Sequence, residues 1–208
     1  MSRVQQANGR VGYLFVPTGR RDPCPLMVLF HGAAQFAARS LELLQEPAAE
    51  AGVALLIPQS LDRTWDLILG GFGADVTAVE DALGWTFERL NVDPSRLASA
   101  GFSDGGSYAL SLGLANGDLF THVAGWSPGF VSAPVRHGQP PVFVSHGTQD
   151  LVLPIDRCGR RVAADLERAG YDISYREFDG PHVLPPEIAR EAFRWFARGA
   201  EDSGASTR

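Results

Sequence analysis

Short apolar runs alternate with longer amphipathic segments along nearly the whole chain. The runs Leu26–Phe30, Val53–Ile57 and Val142–Ser145 are continuously apolar, which is typical of strands buried on both faces. The segments Val11–Val16 and Ile173–Phe178 alternate between apolar and polar positions instead. We therefore predict that Val11–Val16 is an edge strand and that Ile173–Phe178 lies nearer an edge than the buried strands do.

Between the strands, apolar residues recur with the period of an α-helix. We predict helices over Ser40–Ala51, Ala74–Leu90, Asp104–Ala115, Pro154–Ala169 and Pro186–Arg198, with further short strands at Arg96–Ala100 and near Val123. Alternating strands and helices favour βαβ units. The prediction is one α/β domain over residues 1–200, with a doubly wound, mostly parallel sheet and no lid domain, followed by a polar tail over 201–208. A ligand site is expected at the carboxyl ends of the strands.

Composition narrows the classes of partner. The 208 residues are 45% hydrophobic, with 24 acidic against 18 basic side chains and a net charge of −6. No cluster of Lys or Arg offsets that charge, so we expect no nucleic-acid partner. No apolar run approaches the roughly 20 residues of a membrane span, and the N-terminus has no signal-peptide pattern, which predicts a cytoplasmic protein. Cys24 and Cys158 are expected to be reduced thiols, without a metal site.

The sequence GFSDG at Gly101–Gly105 carries the first chemical signal. It follows a predicted strand and opens a predicted helix. A serine at such a sharp strand-to-helix turn holds its hydroxyl above the sheet edge, and the flanking glycines allow the strand and helix to approach closely. Ser103 is therefore the candidate nucleophile.

A serine nucleophile needs a histidine as base and a carboxylate to orient that histidine. Asp150 follows the strand Val142–Ser145, and His182 follows the strand that ends at Phe178. The chain order of serine, acid and histidine, each after a strand, is the order of one large group of serine hydrolases. The rival acid Asp156 is expected to lie inside a helix.

Four other histidines compete with His182 for the role of base. His31 and His146 each precede a glycine at the end of a buried strand, where we expect them to bond to loop backbone. His122 comes before Asp150 and would violate the chain order, and His137 lies in a loop rich in Pro and Gly. Position and elimination both favour His182.

An oxyanion hole requires two backbone N–H groups directed at the developing negative charge. Asp104, directly after the nucleophile, is predicted to supply one of them. The other is expected from the sequence HGAA after the strand Leu26–Phe30, from either Ala33 or Ala34. Ala33 is the preferred candidate.

Four sequence blocks together resemble a known family, the α/β-hydrolases of the predicted esterase, phospholipase/carboxylesterase and polyhydroxybutyrate-depolymerase-like branch. They are LFHG at 29–32, GFSDG at 101–105, HGTQD at 146–150 and GPH at 180–182. The resemblance implies a small capless serine hydrolase for carboxylic esters or thioesters that needs no metal or organic cofactor. Asp104 departs from the acyl-protein thioesterase subgroup, which typically carries Gln there.

The substrate pocket is the least determined part of the sequence. The loop Asp62–Gly73 places Trp65 and Phe72 after a strand, where they form either a wall of the acyl pocket or part of the core. Further candidate wall residues are Phe36, Trp126, Leu153 and Leu184. An aromatic, capless site favours small-molecule esters with short to medium acyl chains.

Three other activities share the same catalytic residues, because a triad does not specify the leaving group. They are thioester, peptide and lactone hydrolysis. A non-catalytic binding protein on the same fold would require a broken triad, and none of the three predicted residues is missing. We therefore expect a carboxylesterase-type enzyme.

Overall fold

The structure is a computed structural model that describes residues 1–6 and 9–198; the predicted tail over 201–208 and the last two residues of the predicted domain lie outside them. Its strands are β1 (Ser2–Gln5), β2 (Val11–Phe15), β3 (Cys24–Phe30), β4 (Ala54–Ile57), β5 (Val92–Phe102), β6 (His122–Trp126), β7 (Val142–Gly147) and β8 (Ile173–Phe178). Its helices are α1 (Ala37–Ala51), α2 (Asp66–Leu69), α3 (Ala74–Phe87), α4 (Asp104–Ala115), α5 (Gly159–Arg168) and α6 (Pro186–Arg198).

The strands form one sheet in the order β1-β2-β4-β3-β5-β6-β7-β8. Strands β3 to β8 pair in parallel, and β1 and β2 run antiparallel at one side. This confirms the predicted mostly parallel sheet. Because the six parallel strands point the same way, the loops that follow them meet at one edge, called here the carboxyl edge.

The continuous apolar run of β3 reflects burial on both faces of the sheet. Leu26, Val28 and Phe30 point into a cluster that includes residues of α3 and α4. Met27 and Leu29 point to the opposite cluster, which includes residues of α1 and α6. Helices therefore cover both faces, as a doubly wound sheet requires. Each such side chain contributes about 1.5–3 kcal/mol through its removal from water.

The predicted edge strands are half correct. Strand β8 lies at one edge of the sheet, as predicted. Strand β2 does not, because β1 pairs with it on its outer side. Strand β1 escaped prediction because Val4 is the one apolar residue in its sequence SRVQ.

Element boundaries differ most where turns border helices. Helix α5 begins at Gly159 rather than at Pro154, since the preceding residues form turns. The short helix α2 lies inside the loop Asp62–Gly73, where none was predicted. Cys24 and Cys158 are separate buried thiols. Within residues 1–6 and 9–198, no helix has the length and apolarity that a membrane crossing needs.

Candidate active site

Ser103 occupies a strained turn between β5 and α4. Its backbone has φ 58° and ψ −122°, a conformation that costs a non-glycine residue on the order of 1–3 kcal/mol. Its N–H donates to the Trp126 carbonyl at 2.8 Å, which fixes the turn against β6. A side chain at Gly101 would collide with the Gly105 carbonyl, and one at Gly105 with the Phe30 carbonyl. The glycines of the motif are therefore required by close backbone contact.

The structure brings Ser103, His182 and Asp150 into one hydrogen-bonded chain. His182 Nε2 lies 2.8 Å from Ser103 Oγ, and His182 Nδ1 lies 2.6 Å from Asp150 Oδ2. The three residues come from the loops after β5, β7 and β8, which the parallel sheet collects at its carboxyl edge. This arrangement lets an imidazole take the serine proton while a carboxylate fixes the imidazole tautomer.

The Asp150 carboxylate is buried but well supplied with donors. Oδ1 accepts the N–H groups of Val152 and Leu153 at 2.9 and 2.8 Å. Burial opposes ionisation, but the hydrogen bonds from Leu153, His182 and Val152 outweigh it and hold the pKa of Asp150 below its ordinary value. Asp150 therefore stays ionised at neutral pH.

Two backbone N–H groups near Ser103 are open. No acceptor for the N–H of Ala33 or Asp104 occurs among the described residues. The neighbouring Ala34 N–H instead donates to the Arg63 carbonyl at 2.6 Å. Ala34 is thus occupied, which leaves Ala33 as the donor candidate on this loop. The Asp104 side chain turns away to accept a 2.7 Å hydrogen bond from Thr64 Oγ1.

His31 braces the loop that carries Ala33. Its Nδ1 donates to the Gly32 carbonyl at 2.8 Å, and its Nε2 accepts the Ser60 N–H at 3.2 Å and lies 2.9 Å from Gln59 Nε2. Burial lowers the pKa of His31, so the ring is neutral and bonds to loop backbone, as the sequence predicts. Gln59 was not foreseen, because nothing in its local pattern marks it.

The competing residues lie elsewhere. The Asp156 side chain is 78% exposed and forms an ion pair with Arg160 at 2.7 Å. His122 begins β6 at the opposite edge of the sheet, where its ring packs against Trp195 and Phe196. His137 is exposed in a loop. None of these three reaches Ser103 through a hydrogen bond.

A largely apolar cavity of about 360 Å³ opens beside His182. It lies between α1 and α6, and its lining includes Leu29, Leu43, Leu44, Phe102, His182, Val183, Leu184 and Ala189. Leu184 is the one predicted pocket residue found there. The Phe102 ring contacts the His182 ring, with the centroids 4.9 Å apart.

Of the two alternatives for Trp65 the core is correct, and the pocket position predicted for Trp126 is wrong. Trp65 is 1% exposed, stacks on Tyr108 and donates its indole N–H to the His31 carbonyl at 2.8 Å. Trp126 is fully buried in the cluster that α1 and α6 cover. Both rings belong to the core, because each side chain points into the layer between sheet and helices rather than towards the site.

The remaining predicted pocket residues also lie outside the cavity. Phe72 packs edge-on against Tyr108, with a centroid separation of 5.7 Å. Phe36 is 67% exposed at the start of α1 and borders a separate depression. Leu153 lies next to Gly129. The actual cavity wall comes from the apolar stripes of α1 and α6, so a helical-wheel analysis of those two helices was the available signal.

Known proteins resemble this chain in fold and, over part of its length, in sequence. No protein-family profile matches the sequence. An acyl-protein thioesterase 1 of Gibberella zeae is 30% identical over 104 residues, which cover 45% of this chain and 44% of that protein. The match thus spans less than half of the relative's length.

Solved structures cover almost the whole chain. A thermostable esterase superposes with a TM-score of 0.77 at 21% identity, over 95% of this chain and 62% of that one. An S-formylglutathione hydrolase from Staphylococcus aureus gives 0.76 at 13% identity, over 94% and 97%. Est1E from Butyrivibrio proteoclasticus gives 0.66 at 18% identity, over 89% and 92%. The chain has the α/β-hydrolase fold, as the resemblance in sequence implied.

Proposed function

We propose that this protein is a carboxylesterase-type serine hydrolase, with Ser103 as nucleophile, His182 as general base and Asp150 as the orienting acid. The Ala33 and Asp104 N–H groups would form its oxyanion hole. One observation carries the proposal: the unbroken chain of 2.8 and 2.6 Å contacts from Ser103 Oγ through His182 to Asp150. The esterases and hydrolases among the structural neighbours support it through the fold they share.

The chemistry follows from the geometry. His182 Nε2 removes the Ser103 proton as Oγ attacks the ester carbonyl, and the carbonyl oxygen becomes an anion held by the two open N–H groups. The protonated His182 then donates to the leaving alkoxide, which leaves an acyl group on Ser103. Water, deprotonated by the same ring, releases the acid and restores the serine.

Labelling by a fluorophosphonate probe tests the activated nucleophile directly. We expect rapid labelling of the wild-type protein and none of Ser103→Ala. Ser111→Ala is the control, because this buried serine lies in α4 and bonds to the Ser107 carbonyl away from the catalytic chain. Wild-type protein that resists labelling, or a labelled Ser103→Ala variant, would overturn the proposal.

The cavity beside His182 supports short to medium aliphatic acyl chains as substrates. Most of its lining residues are Leu, Val, Phe, Ala or Pro, with Gln35, Arg39 and Ser40 among the others, and a mainly apolar wall favours alkyl groups. Leu184→Trp should narrow the cavity and reduce kcat/KM for octanoate relative to acetate esters by about 10- to 200-fold. Leu69→Trp is the matched control, since Leu69 is exposed on α2 and does not line the cavity. If both variants prefer octanoate over acetate esters to the same degree, the cavity does not bind the acyl chain.

Thioester hydrolysis is the second candidate activity. It is favoured by the partial match to a protein named acyl-protein thioesterase 1. An oxoester and a thioester with the same acyl group would separate the two readings. The value of kcat/KM for the thioester is divided by that for the oxoester and compared with the ratio of the two uncatalysed rates. A much larger ratio for the enzyme would identify a thioesterase.

A further inference from the structure

A second histidine contacts the acid of the proposed triad. His146 Nε2 lies 3.2 Å from Asp150 Oδ2, the same oxygen that His182 Nδ1 approaches at 2.6 Å. The same His146 nitrogen lies 2.7 Å from the Leu153 carbonyl oxygen. Two imidazole rings thus approach the same oxygen of the Asp150 carboxylate.

The hydrogen-bond partners determine which nitrogen of His146 carries the proton. A carbonyl oxygen only accepts, so Nε2 must be the donor. The Nδ1 atom is buried and has no partner among the described residues. Burial lowers the pKa of His146, so the ring is a neutral Nε2–H donor that bonds to the Leu153 carbonyl, with Asp150 Oδ2 3.2 Å from the same nitrogen.

The same bonds fix the turn that presents the carboxylate. Leu153 donates its N–H to Asp150 Oδ1 and accepts the His146 proton at its carbonyl. His146 therefore bonds to the backbone carbonyl of Leu153, and Asp150 bonds to its backbone N–H. Removal of His146 would free both the Leu153 carbonyl and one side of Asp150 Oδ2.

We propose that His146 is a positioning residue of the active site, whose Nε2–H aims Asp150 Oδ2 at His182 and withdraws charge from that oxygen. The proposal rests on the proposed triad. Its effect on the reaction runs entirely through Asp150, because His146 has no contact with Ser103.

Few other ionisable groups face His146. From β8, Glu177 is its partner in register, and Arg160 binds that carboxylate at 2.7 Å. From the start of α5, the buried Cys158 lies nearby, and a side chain at Gly159 would collide with the His146 ring. His182 and Asp150 complete the surroundings. Arg160 is the cation on this side of His146, and it is already bound to Glu177.

Three substitutions separate positioning from packing. The Gln amide nitrogen reaches as far as histidine Nε2, the Asn amide nitrogen only as far as Nδ1, and Met fills the space with no donor. We expect His146→Gln to keep kcat within a few-fold, and His146→Asn and His146→Met to lose roughly 10- to 100-fold in kcat with little change in KM. Equal kcat values for the Gln and Asn variants would overturn the proposal.

The pH profile provides a signature that packing alone does not produce. Without the His146 donor, Asp150 keeps more negative charge beside the general base. The acidic limb of kcat/KM should therefore move to higher pH by about half a unit in His146→Met and return in His146→Gln. A lower kcat with an unmoved limb would make His146 merely structural.

The tautomer of His146 can be observed in the wild-type protein without measuring ester turnover. Nitrogen-15 NMR of the histidine side chains should show one ring locked as the neutral Nε2–H tautomer at pH 7, assigned to His146 by its loss in His146→Gln. An Nδ1–H tautomer or a charged ring would refute the proposal. Fluorophosphonate labelling of the same sample tests the triad independently, so the two failures are distinguishable.

Discussion

The two ends of the parallel strands differ in the backbone conformation of the residues beside them. In the described part of the chain, the non-glycine residues with positive φ are Ala34, Ser103 and Ser127. All three follow strands at the carboxyl edge, after β3, β5 and β6. Unfavourable backbone conformations are thus concentrated at the edge that holds the candidate active site.

The opposite edge, called here the amino edge, has a wide groove lined by four arginines, and Arg96, Arg176 and Arg194 among them donate to acceptors within the protein. Arg176 pairs with Glu191 at 2.6 Å, and Arg96 donates to the Ala197 carbonyl. At the carboxyl edge the Ala33 and Asp104 N–H groups instead remain open. The strained residues Ala34 and Ser103 have bonded N–H groups themselves, but each lies next to one of the open groups in the chain.

Substitution of the proposed nucleophile tests the contrast between the strained carboxyl edge and the amino edge, and it has the largest expected effect. Ser103→Gly should lower kcat by about 10⁴- to 10⁶-fold, since the attacking oxygen is gone. The same change should raise the free energy of unfolding by about 1 kcal/mol, because glycine adopts φ 58° without strain. Ester turnover and urea unfolding measure the two effects.

The matched control lies at the amino edge of the same strand. Ser95 donates both its N–H and its hydroxyl to Asp93 Oδ1, at 2.9 and 2.6 Å. Ser95→Gly should leave kcat unchanged and should not stabilise the protein. A stabilisation of similar size in both variants would show that Ser103 carries no special strain.

Substitution of the two acids has the next largest expected effect. Asp150→Asn keeps an oxygen for Val152 and Leu153 but turns a donor amide towards His182, which forces the wrong tautomer. We expect a loss of roughly 10⁴-fold in kcat. Asp156→Asn should change kcat little, because Asp156 is exposed and pairs with Arg160. The reverse result would assign the acid to Asp156.

The sequence was sufficient to predict the parallel sheet and to choose the residues that the structure joins at 2.8 and 2.6 Å. Those predictions depend on chain order and on strand ends, and both follow from local patterns. Ser103, Asp150 and His182 each lie in the turn or loop that follows a strand, in a fold that gathers such loops at one edge.

The pocket could not be predicted in the same way. An aromatic residue after a strand gives the same local signal whether it faces solvent or core, and tertiary packing decides between the two. Trp65 is buried because Phe30 and Tyr108 form a slot for its ring. His146 shows the same limit, since its contact with Asp150 depends on how the turn after β7 closes.

Trp65 therefore provides a test at the base of the carboxyl edge. Trp65→Ala should lower the free energy of unfolding by about 3–5 kcal/mol, the usual effect of removing a buried aromatic ring. Acyl-chain preference should stay as in wild type, because Trp65 does not line the cavity. Phe36→Ala, at an exposed ring, should change stability by no more than about 0.5 kcal/mol. If Trp65→Ala instead changes the acyl-chain preference and leaves the free energy of unfolding as in wild type, Trp65 lines the acyl pocket.

The smallest expected effect lies at the amino edge, where His122 is packed edge-on to Trp195 and Phe196 with centroids 5.1 and 5.2 Å away. Burial, and secondarily the charge of Arg96, lowers the pKa of His122 to about 4. Because the unfolded chain binds this proton already near pH 6.5, stability conferred by the neutral ring is complete above that pH and is lost as the pH falls towards 4.

His122→Phe keeps a ring in this position and removes the titration. Between pH 7 and 4.5 the wild-type free energy of unfolding should therefore fall by about 1–3 kcal/mol more than that of the variant, a range that allows for partial solvent screening. Urea unfolding at the two pH values measures the difference, and kcat at pH 7 should be unchanged because His122 is remote from Ser103. Parallel losses in both proteins would show that His122 is protonated as easily in the folded chain as in the unfolded one. In that case His122 would be in contact with water in the folded chain, and the two edges would differ in backbone strain alone.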